Sequence, residues 1–197
     1  MHLKFPLSLL LISLWARIEL KMIVLIPIGE IDEAVLESLR QPLTQAFGQE
    51  TKIGNKMPLL RESYYHSRHQ YPAPPLLSLI PPPDLDNRAL GVVDVDIFAP
   101  GLNFVFGIAD IPGRRALVSL RRLRQEFYGL PQDERLFLER AIKEAIHELG
   151  HTYGLEHCPS PTCVMHFSNR LRGTDLKGWK FCPNCQQKIS LKNSQAV

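Results

Sequence analysis

The spacing of apolar residues predicts a strand followed by an amphipathic helix. Residues 23–28 form a short apolar run rich in isoleucine and valine, which is typical of a buried strand. From Gly29 to Phe47 the apolar side chains recur at steps of three and four residues, which indicates a helix with one buried face. Residues 50–60 allow a second strand. The apolar positions of the helix are Ile31, Val35, Leu36, Leu39, Leu43 and Phe47.

A connection interrupted by prolines separates this unit from a second group of strands. Within residues 61–87 the prolines leave room for at most one short helix, near Leu76–Ile80. Pro112 and Gly113 mark a turn between the last two strands. The predicted strands of this group are Ala89–Phe98, Phe104–Ile108 and Ala116–Leu120.

The longest helical pattern extends from Gln132 to Tyr153 and has a regular apolar stripe. Asp133 and Glu134 suit the positive N-terminal end of such a helix. Gly150 inside it costs about 1 kcal/mol relative to alanine, so we expect another segment to pack closely there. A β-α-β unit, further strands and one long helix together predict an α/β domain with a twisted mixed sheet.

Composition limits the classes of function. The chain has 197 residues, of which 45% are hydrophobic and 22% charged, as in ordinary globular proteins. The net charge of +3 is too small to indicate nucleic-acid binding. For the densest basic patch we favour a solvated strand end and loop over an anion site. That patch consists of Arg114, Arg115, Arg121, Arg122 and Arg124.

Residues 1–21 differ in pattern from the rest of the chain. The apolar run Phe5–Ala16 resembles the central region of a signal peptide, but it is too short to cross a bilayer as a helix. No small-x-small cleavage pattern follows it, and Met22 opens the first predicted strand. We interpret residues 1–21 as an N-terminal extension from a misassigned start codon. A signal peptide and a membrane-associating tail are the alternatives.

Histidine and glutamate are concentrated near the end of the long helix. His147 and His151 are four residues apart, so their rings lie on one helix face and can both reach one metal ion. Glu148 then lies beside the ion, and Gly154 can end the helix so that His157 returns as a third ligand. This spacing predicts a zinc peptidase site. The alternative is a solvated helix end that is rich in histidine.

All four cysteines follow the third histidine. Cys158 and Cys163 form one pair, and Cys182 and Cys185 form a second, at spacings that suit four thiolate ligands of a tetrahedral zinc ion. The alternatives are two disulfides or a redox Cys-x-x-Cys motif. We favour a closed structural zinc site, which would tie the C-terminal segment to the end of the long helix.

Four further residues near or outside these motifs have ordinary explanations. On spacing alone, Met165 is interpreted as a core methionine, with a position beneath the three histidines as the alternative. His66, His69 and His166 are interpreted as surface or hydrogen-bonded side chains rather than metal ligands.

Taken together, these motifs resemble those of the archaemetzincins, a family within the metzincin clan of zinc peptidases. The resemblance rests on three pieces of sequence and covers the chain from about Met22 onward. They are His147-Glu148-x-x-His151-x-x-Gly154-x-x-His157-Cys158, Cys163-x-Met165 and Cys182-x-x-Cys185.

The resemblance implies a two-zinc peptidase. A catalytic zinc would be held by His147, His151 and His157, with Glu148 as general base. Met165 would be the Met-turn residue under that metal. A structural zinc would be held by Cys158, Cys163, Cys182 and Cys185.

The implied fold is a single metzincin-like domain, residues 22–197, that includes the four-cysteine segment 158–189. Its cleft would follow an antiparallel edge strand, for which Asn103–Ala109 is our prediction. We expect a cytoplasmic monomer that acts on peptides or proteins, with no nucleic-acid partner and no stable membrane insertion.

Two other functions fit parts of the sequence. The first is a zinc-binding protein that recognises peptides with little or no peptidase activity. The second is an interaction module built on the four cysteines, with a degenerate histidine site. Every position of the histidine motif is filled, which argues against the second.

Overall fold

A five-stranded mixed sheet organises the chain in the computed structural model, which describes residues 21–84 and 87–194. Its strand order is β2-β1-β4-β7-β6, in which β6 alone is antiparallel to its neighbour and forms one edge. A two-stranded sheet pairs β3 with β5. The strands are β1 (Met22–Ile28), β2 (Glu50–Ile53), β3 (Tyr71–Pro72), β4 (Arg88–Val93), β5 (Ile97–Phe98), β6 (Gly107–Asp110) and β7 (Arg115–Ser119).

Helices cover both faces of the large sheet. α1 and α3 pack on one face, where they share a large apolar core with the sheet, and α2 closes a smaller core on the other face. The mixed sheet backed by helices confirms the predicted fold class. The helices are α1 (Glu33–Phe47), α2 (Ala73–Leu79), α3 (Glu134–Thr152), α4 (Leu171–Leu176) and α5 (Pro183–Ser194).

Local residues determine where the helices begin and end. α1 begins later than the apolar pattern suggests, because Gly29 is left-handed (φ 77°) and the Asp32 side chain caps the helix by accepting from the Ala34 backbone N–H. α2 begins at Ala73 rather than Leu76. Its prolines occupy the first turn, where a missing N–H costs no helical hydrogen bond.

The prediction of one continuous strand over Ala89–Phe98 was wrong. The segment breaks at residues 94–96, and its second part pairs with β3 in the smaller sheet. The break exposes two carboxylates to arginines that follow β7: Asp96 accepts two bonds from Arg122 (2.6 and 2.8 Å), and Asp94 accepts one from Arg124 (3.0 Å).

The predicted strand Phe104–Ile108 lies about three residues further along the chain, at β6. The Val105 N–H donates to the Ile97 carbonyl (3.1 Å), so this part of the chain follows β5 before it joins β7. The predicted antiparallel edge over Asn103–Ala109 is therefore correct in place, and the ladder itself begins at Gly107.

The basic patch lies at the two ends of β7: Arg114 and Arg115 are at its start, and Arg121, Arg122 and Arg124 are in the segment after it. Three of its arginines contact aspartates: Arg115 binds Asp110 (2.9 Å), and Arg122 and Arg124 make the two contacts described above. These carboxylates neutralise part of the positive charge, which favours the predicted strand end and loop over an anion site.

The predictions for residues 1–21 concern a segment of which the structure describes only Lys21. They remain predictions. Within the described ranges, no helix has both the length and the apolar character needed to cross a membrane.

A buried hydrogen-bonded chain joins the ends of three helices. The Tyr153 hydroxyl, just after α3, donates to Gln49 (2.9 Å), and the Gln49 amide donates to Asn193 of α5 (2.9 Å). Asn193 in turn donates to the Phe47 carbonyl at the end of α1 (2.9 Å). The Tyr153 ring also stacks on Phe47, with centroids 4.9 Å apart. These contacts position α5 against the end of α3.

We expect Tyr153→Phe to lower the free energy of unfolding by about 1–2 kcal/mol, because it leaves the buried Gln49 oxygen without its donor while the ring stacking is kept. Urea unfolding followed by circular dichroism measures this. Tyr128→Phe is the control: its hydroxyl bonds the Arg122 carbonyl at the surface and should change stability by less than about 0.5 kcal/mol. Equal losses in the two variants would contradict the prediction.

Candidate functional site

The C-terminal end of α3 brings the three predicted histidines together. His147 and His151 lie on one face of the helix, and Gly154 is left-handed (φ 79°), which ends the helix as predicted. The Gly154 N–H donates to the backbone carbonyl of His151, and the Leu155 N–H donates to that of Gly150, so the chain turns tightly there. His157 returns to within reach of the first two rings.

The spacing of the imidazole nitrogens fits a small tetrahedral metal ion. The ligand nitrogens of His147, His151 and His157 all lie within 4.8 Å of one another. The His147 and His151 Nε2 atoms are 3.2 Å apart. Two nitrogens bound to one tetrahedral zinc ion at about 2.0–2.1 Å would be about 3.3 Å apart. The donor set and its separation therefore suit zinc.

Backbone carbonyls orient two of the rings toward the common centre. His147 Nδ1 lies 2.8 Å from the Val164 carbonyl, and His151 Nδ1 lies 2.7 Å from the Leu155 carbonyl. Because a carbonyl only accepts, each Nδ1 must donate its hydrogen, which leaves the Nε2 lone pair free for a metal.

Met165 lies directly under the histidine helix and is fully buried. A Cβ atom added at Gly150 would collide with Met165 Sδ and would lie 3.1 Å from its Cε. This close approach is the packing expected at Gly150. It also places the methionine beneath the turn that carries His147 and His151.

The cleft in front of the histidines has a volume of about 450 Å³ and is mainly apolar. Glu148 lines it beside β6, where a Cβ atom added at Gly107 would lie 2.5 Å from Glu148 Cγ. Only glycine at position 107 lets the edge strand approach the carboxylate this closely. Burial raises the pKa of Glu148 well above its usual range, the Glu144 carboxylate raises it further, and Lys177 opposes both.

Burial has the opposite effect on the histidines. Desolvation lowers the pKa of His147, His151 and His157 below the ordinary value of 6.5, and the positive charge of Lys177 contributes to each shift. The imidazoles are therefore neutral at neutral pH, which is the form that binds metal ions.

The four cysteines form a second cluster at the end of the same segment. Their sulfur atoms lie within 4.8 Å of one another, and Cys158 and Cys182 Sγ are 3.7 Å apart. Thiolates bound to one tetrahedral zinc ion at about 2.3 Å would be about 3.8 Å apart, whereas a disulfide requires about 2.05 Å. None of the four is in a disulfide. The pKa of Cys182 is lowered to about 7, mainly because its sulfur accepts a hydrogen bond from the Cys185 backbone N–H.

The two clusters share a short piece of backbone. His157 and Cys158 are neighbours, and the Cys158 N–H donates to the Met165 carbonyl (2.9 Å). Val164, next to Cys163, accepts from His147 through its carbonyl and donates to the Lys180 carbonyl through its N–H (3.0 Å). The conformation of residues 163–165 therefore influences both sets of ligands.

The remaining histidines fit the predicted ordinary roles. His66 and His69 are exposed, and His69 Nδ1 contacts the Tyr64 hydroxyl (3.2 Å). His166 Nδ1 lies 2.9 Å from the Cys158 carbonyl, to which it donates. None of the three belongs to either ligand cluster.

Several residues of the site were not predicted from the sequence. Gly107 carries a usable signal, because a glycine inside a predicted strand often marks the close approach of another group. Glu144, Val164 and Lys177 carry none, since their contacts join distant parts of the chain.

Comparisons with known proteins agree with this geometry. The model of peptidase family M54 matches residues 85–191. An archaemetzincin from Pyrococcus furiosus is 46% identical over 176 residues, which cover 85% of this chain and 92% of that protein.

Solved structures of similar proteins share the fold. The crystal structure of an archaemetzincin from Methanopyrus kandleri has a TM-score of 0.78 at 38% identity and covers 92% of this chain and 99% of that one. A zinc-dependent peptidase from Methanocorpusculum labreanum has a TM-score of 0.76 at 27% identity, covering 85% and 99% of the two chains. The chain therefore belongs to peptidase family M54, the archaemetzincins, a family of zinc metallopeptidases.

Proposed function

We propose that the chain hydrolyses peptide bonds at a zinc ion held by His147, His151 and His157, with Glu148 as general base. The proposal rests on the convergence of three imidazoles at zinc spacing, two of them oriented by backbone carbonyls, beside a buried carboxylate in an open cleft.

A zinc ion bound there would supply Lewis acidity, which makes a nucleophile available from water at neutral pH and polarises the scissile carbonyl. The Glu148 carboxylate takes the proton of the attacking water and passes it to the nitrogen of the leaving amine. Burial, which raises the pKa of Glu148, favours the protonated form that carries the proton from the water to the amine.

The edge strand is the proposed site for the substrate backbone. β6 pairs with β7 on one side only, so its other edge can pair with an extended peptide. Gly107 begins this strand and contacts Glu148, so a peptide along the edge would run past the proposed base. Phe104, Ile108 and Phe167 in the walls of the cleft favour apolar side chains near the cleaved bond.

A second zinc ion is proposed at Cys158, Cys163, Cys182 and Cys185, where it would be structural. All four ligand positions are filled by sulfur, which leaves no open position for a substrate. The expectations of a monomer and of a cytoplasmic location remain predictions.

Replacing the proposed base should abolish turnover without removing the metal. We expect Glu148→Gln to lower kcat by about 10²–10⁴-fold on a diverse peptide library, with unchanged zinc content, because the amide cannot accept the proton. Glu156→Gln, an exposed position in the same motif, should keep full activity. Cleavage by Glu148→Gln at the parent rate would disprove the role. Absence of cleavage by the zinc-loaded parent would favour a peptide-recognition function.

Metal analysis tests the two-site arrangement. The parent chain should bind two zinc ions, and Cys158→Ala should lose the cysteine-bound ion and also weaken zinc at the histidines, because Cys158 adjoins His157. Elemental analysis with native mass spectrometry measures both effects. Ser160→Ala, in the exposed loop between the first two cysteines, should keep both ions. A single zinc ion in the parent would refute the arrangement.

The lowered histidine pKa values predict metal binding that resists mild acid. Protons compete with zinc only when the pH falls through the pKa of the ligands. We therefore expect the affinity of the histidine site to change little from about pH 8 down to the ordinary histidine pKa of 6.5. The affinity should fall only at lower pH. Chelator competition measures this. A synthetic peptide of residues 147–157 should already lose affinity near its ordinary histidine pKa, and parallel loss in the protein would contradict the prediction.

A further inference from the structure

Lys177 is a charged residue in an unusual place. It follows α4, and its side chain is completely buried behind the histidine cluster. Burying an ammonium group costs free energy unless an opposite charge and hydrogen-bond acceptors surround it.

Glu144 of α3 supplies the opposite charge. Its Oε1 atom lies 3.0 Å from Lys177 Nζ and also accepts a hydrogen bond from Thr174 Oγ1 (2.9 Å). The ion pair is buried on both sides, with side-chain exposures of 0% and 3%. It therefore joins the histidine helix to α4 in a place where solvent screens little.

The same ammonium group reaches the first histidine and the segment below it. Lys177 Nζ lies 3.4 Å from the His166 carbonyl and 3.3 Å from His147 Nδ1. The Nδ1 hydrogen is used by the Val164 carbonyl, so the contact with Lys177 is close packing against the ring edge. The lysine thus touches the helix, the ring, and the segment that carries the ring's hydrogen-bond acceptor.

We propose that Lys177, paired with Glu144, is a positioning residue for the histidine metal site. By linking Glu144 to the His166 carbonyl, it holds the segment in which the Val164 carbonyl accepts from His147, and so fixes the direction of the His147 Nε2 lone pair. Lys177 is buried and does not touch the substrate. This proposal rests on the proposed function, in which His147 binds zinc.

Lys143 provides a matched control within the same helix. It is also buried, and its Nζ donates to the Thr174 and Asp175 carbonyls of α4 (3.2 and 3.3 Å). Lys143 therefore helps to hold α4 against α3, as Lys177 does. These two Nζ hydrogen bonds both go to α4, so Lys143 isolates the anchoring of α4 from the positioning of the ring.

The test measures metal affinity rather than activity alone. Co²⁺ replaces zinc in the full chain, since thiolate coordination gives intense near-ultraviolet bands that distinguish the cysteine site from the histidine site. In Lys177→Met we expect the affinity of the histidine site to fall by about 10–100-fold, the usual effect of removing a group that orients a ligand. The cysteine site should lose much less affinity than the histidine site, and Lys143→Met should alter histidine-site affinity by less than about threefold.

A second pair of variants separates positioning from stability. Glu144→Gln keeps the shape and the Thr174 bond but removes the charge that holds Lys177, and it should weaken the histidine site as Lys177→Met does. In the double variant Glu144→Met with Lys177→Met, the buried charges are replaced by apolar groups, which often leaves stability unchanged. Its Tm should be near that of the parent, while its histidine-site affinity stays low. The loss of affinity in the double variant should be smaller than the sum of the losses in the two single variants.

The outcomes are distinguishable. Parent-like affinity in Lys177→Met or in the double variant, or an equal loss in Lys143→Met, would overturn the positioning role. If Lys177→Met does not fold, Glu144→Gln and the double variant decide in the same way. If the parent shows no histidine-site metal, or His147→Ala leaves its affinity unchanged, the proposed function fails instead.

Discussion

The hydrogen bond between His147 and the Val164 carbonyl is the contact on which the architecture of the site depends. It joins the histidine helix to residues 163–165, a segment that begins with a cysteine of the second cluster. Met165, in the same segment, fills the space left by Gly150 under that helix. One short piece of backbone therefore carries a cysteine, an acceptor for a histidine, and the apolar floor of the site. The two clusters also adjoin in sequence, because His157 and Cys158 are neighbours.

Burial of charge is the second constraint on this region. α3 is covered by the chain that follows it, so several charged residues of the helix are removed from water. Three of them, Arg140, Lys143 and Glu144, have an opposite charge or a carbonyl as partner. Arg140 makes a two-bond contact with Asp175 (2.6 and 2.8 Å), and Lys143 and Glu144 bind the same short helix. These pairs give the cover directional contacts with α3 in addition to its apolar packing.

The two clusters were predictable because the signal of their residues is local. Histidines one helical turn apart, a helix-ending glycine and paired cysteines all act through neighbours in the sequence. The break at residues 94–96 was not predictable, because it depends on arginines that come after another strand. The late start of β6 depends on a bond from Val105 to Ile97. Glu144 and Lys177 meet only because the chain folds back over α3. Such contacts between distant parts of the chain produce no periodic pattern in the sequence.

The length of β6 has a consequence for self-association as well as for substrates. An exposed sheet edge can pair with the same edge of another molecule, and long flat edges promote aggregation. β6 has four residues, begins at a glycine and ends at Asp110, whose carboxylate is held by Arg115 before the turn at Pro112 and Gly113. A second chain could therefore form only a short ladder there, too short to be stable without further contacts. A peptide held at the proposed metal site would have such a contact, so the edge would favour a substrate over a neighbouring copy of the chain.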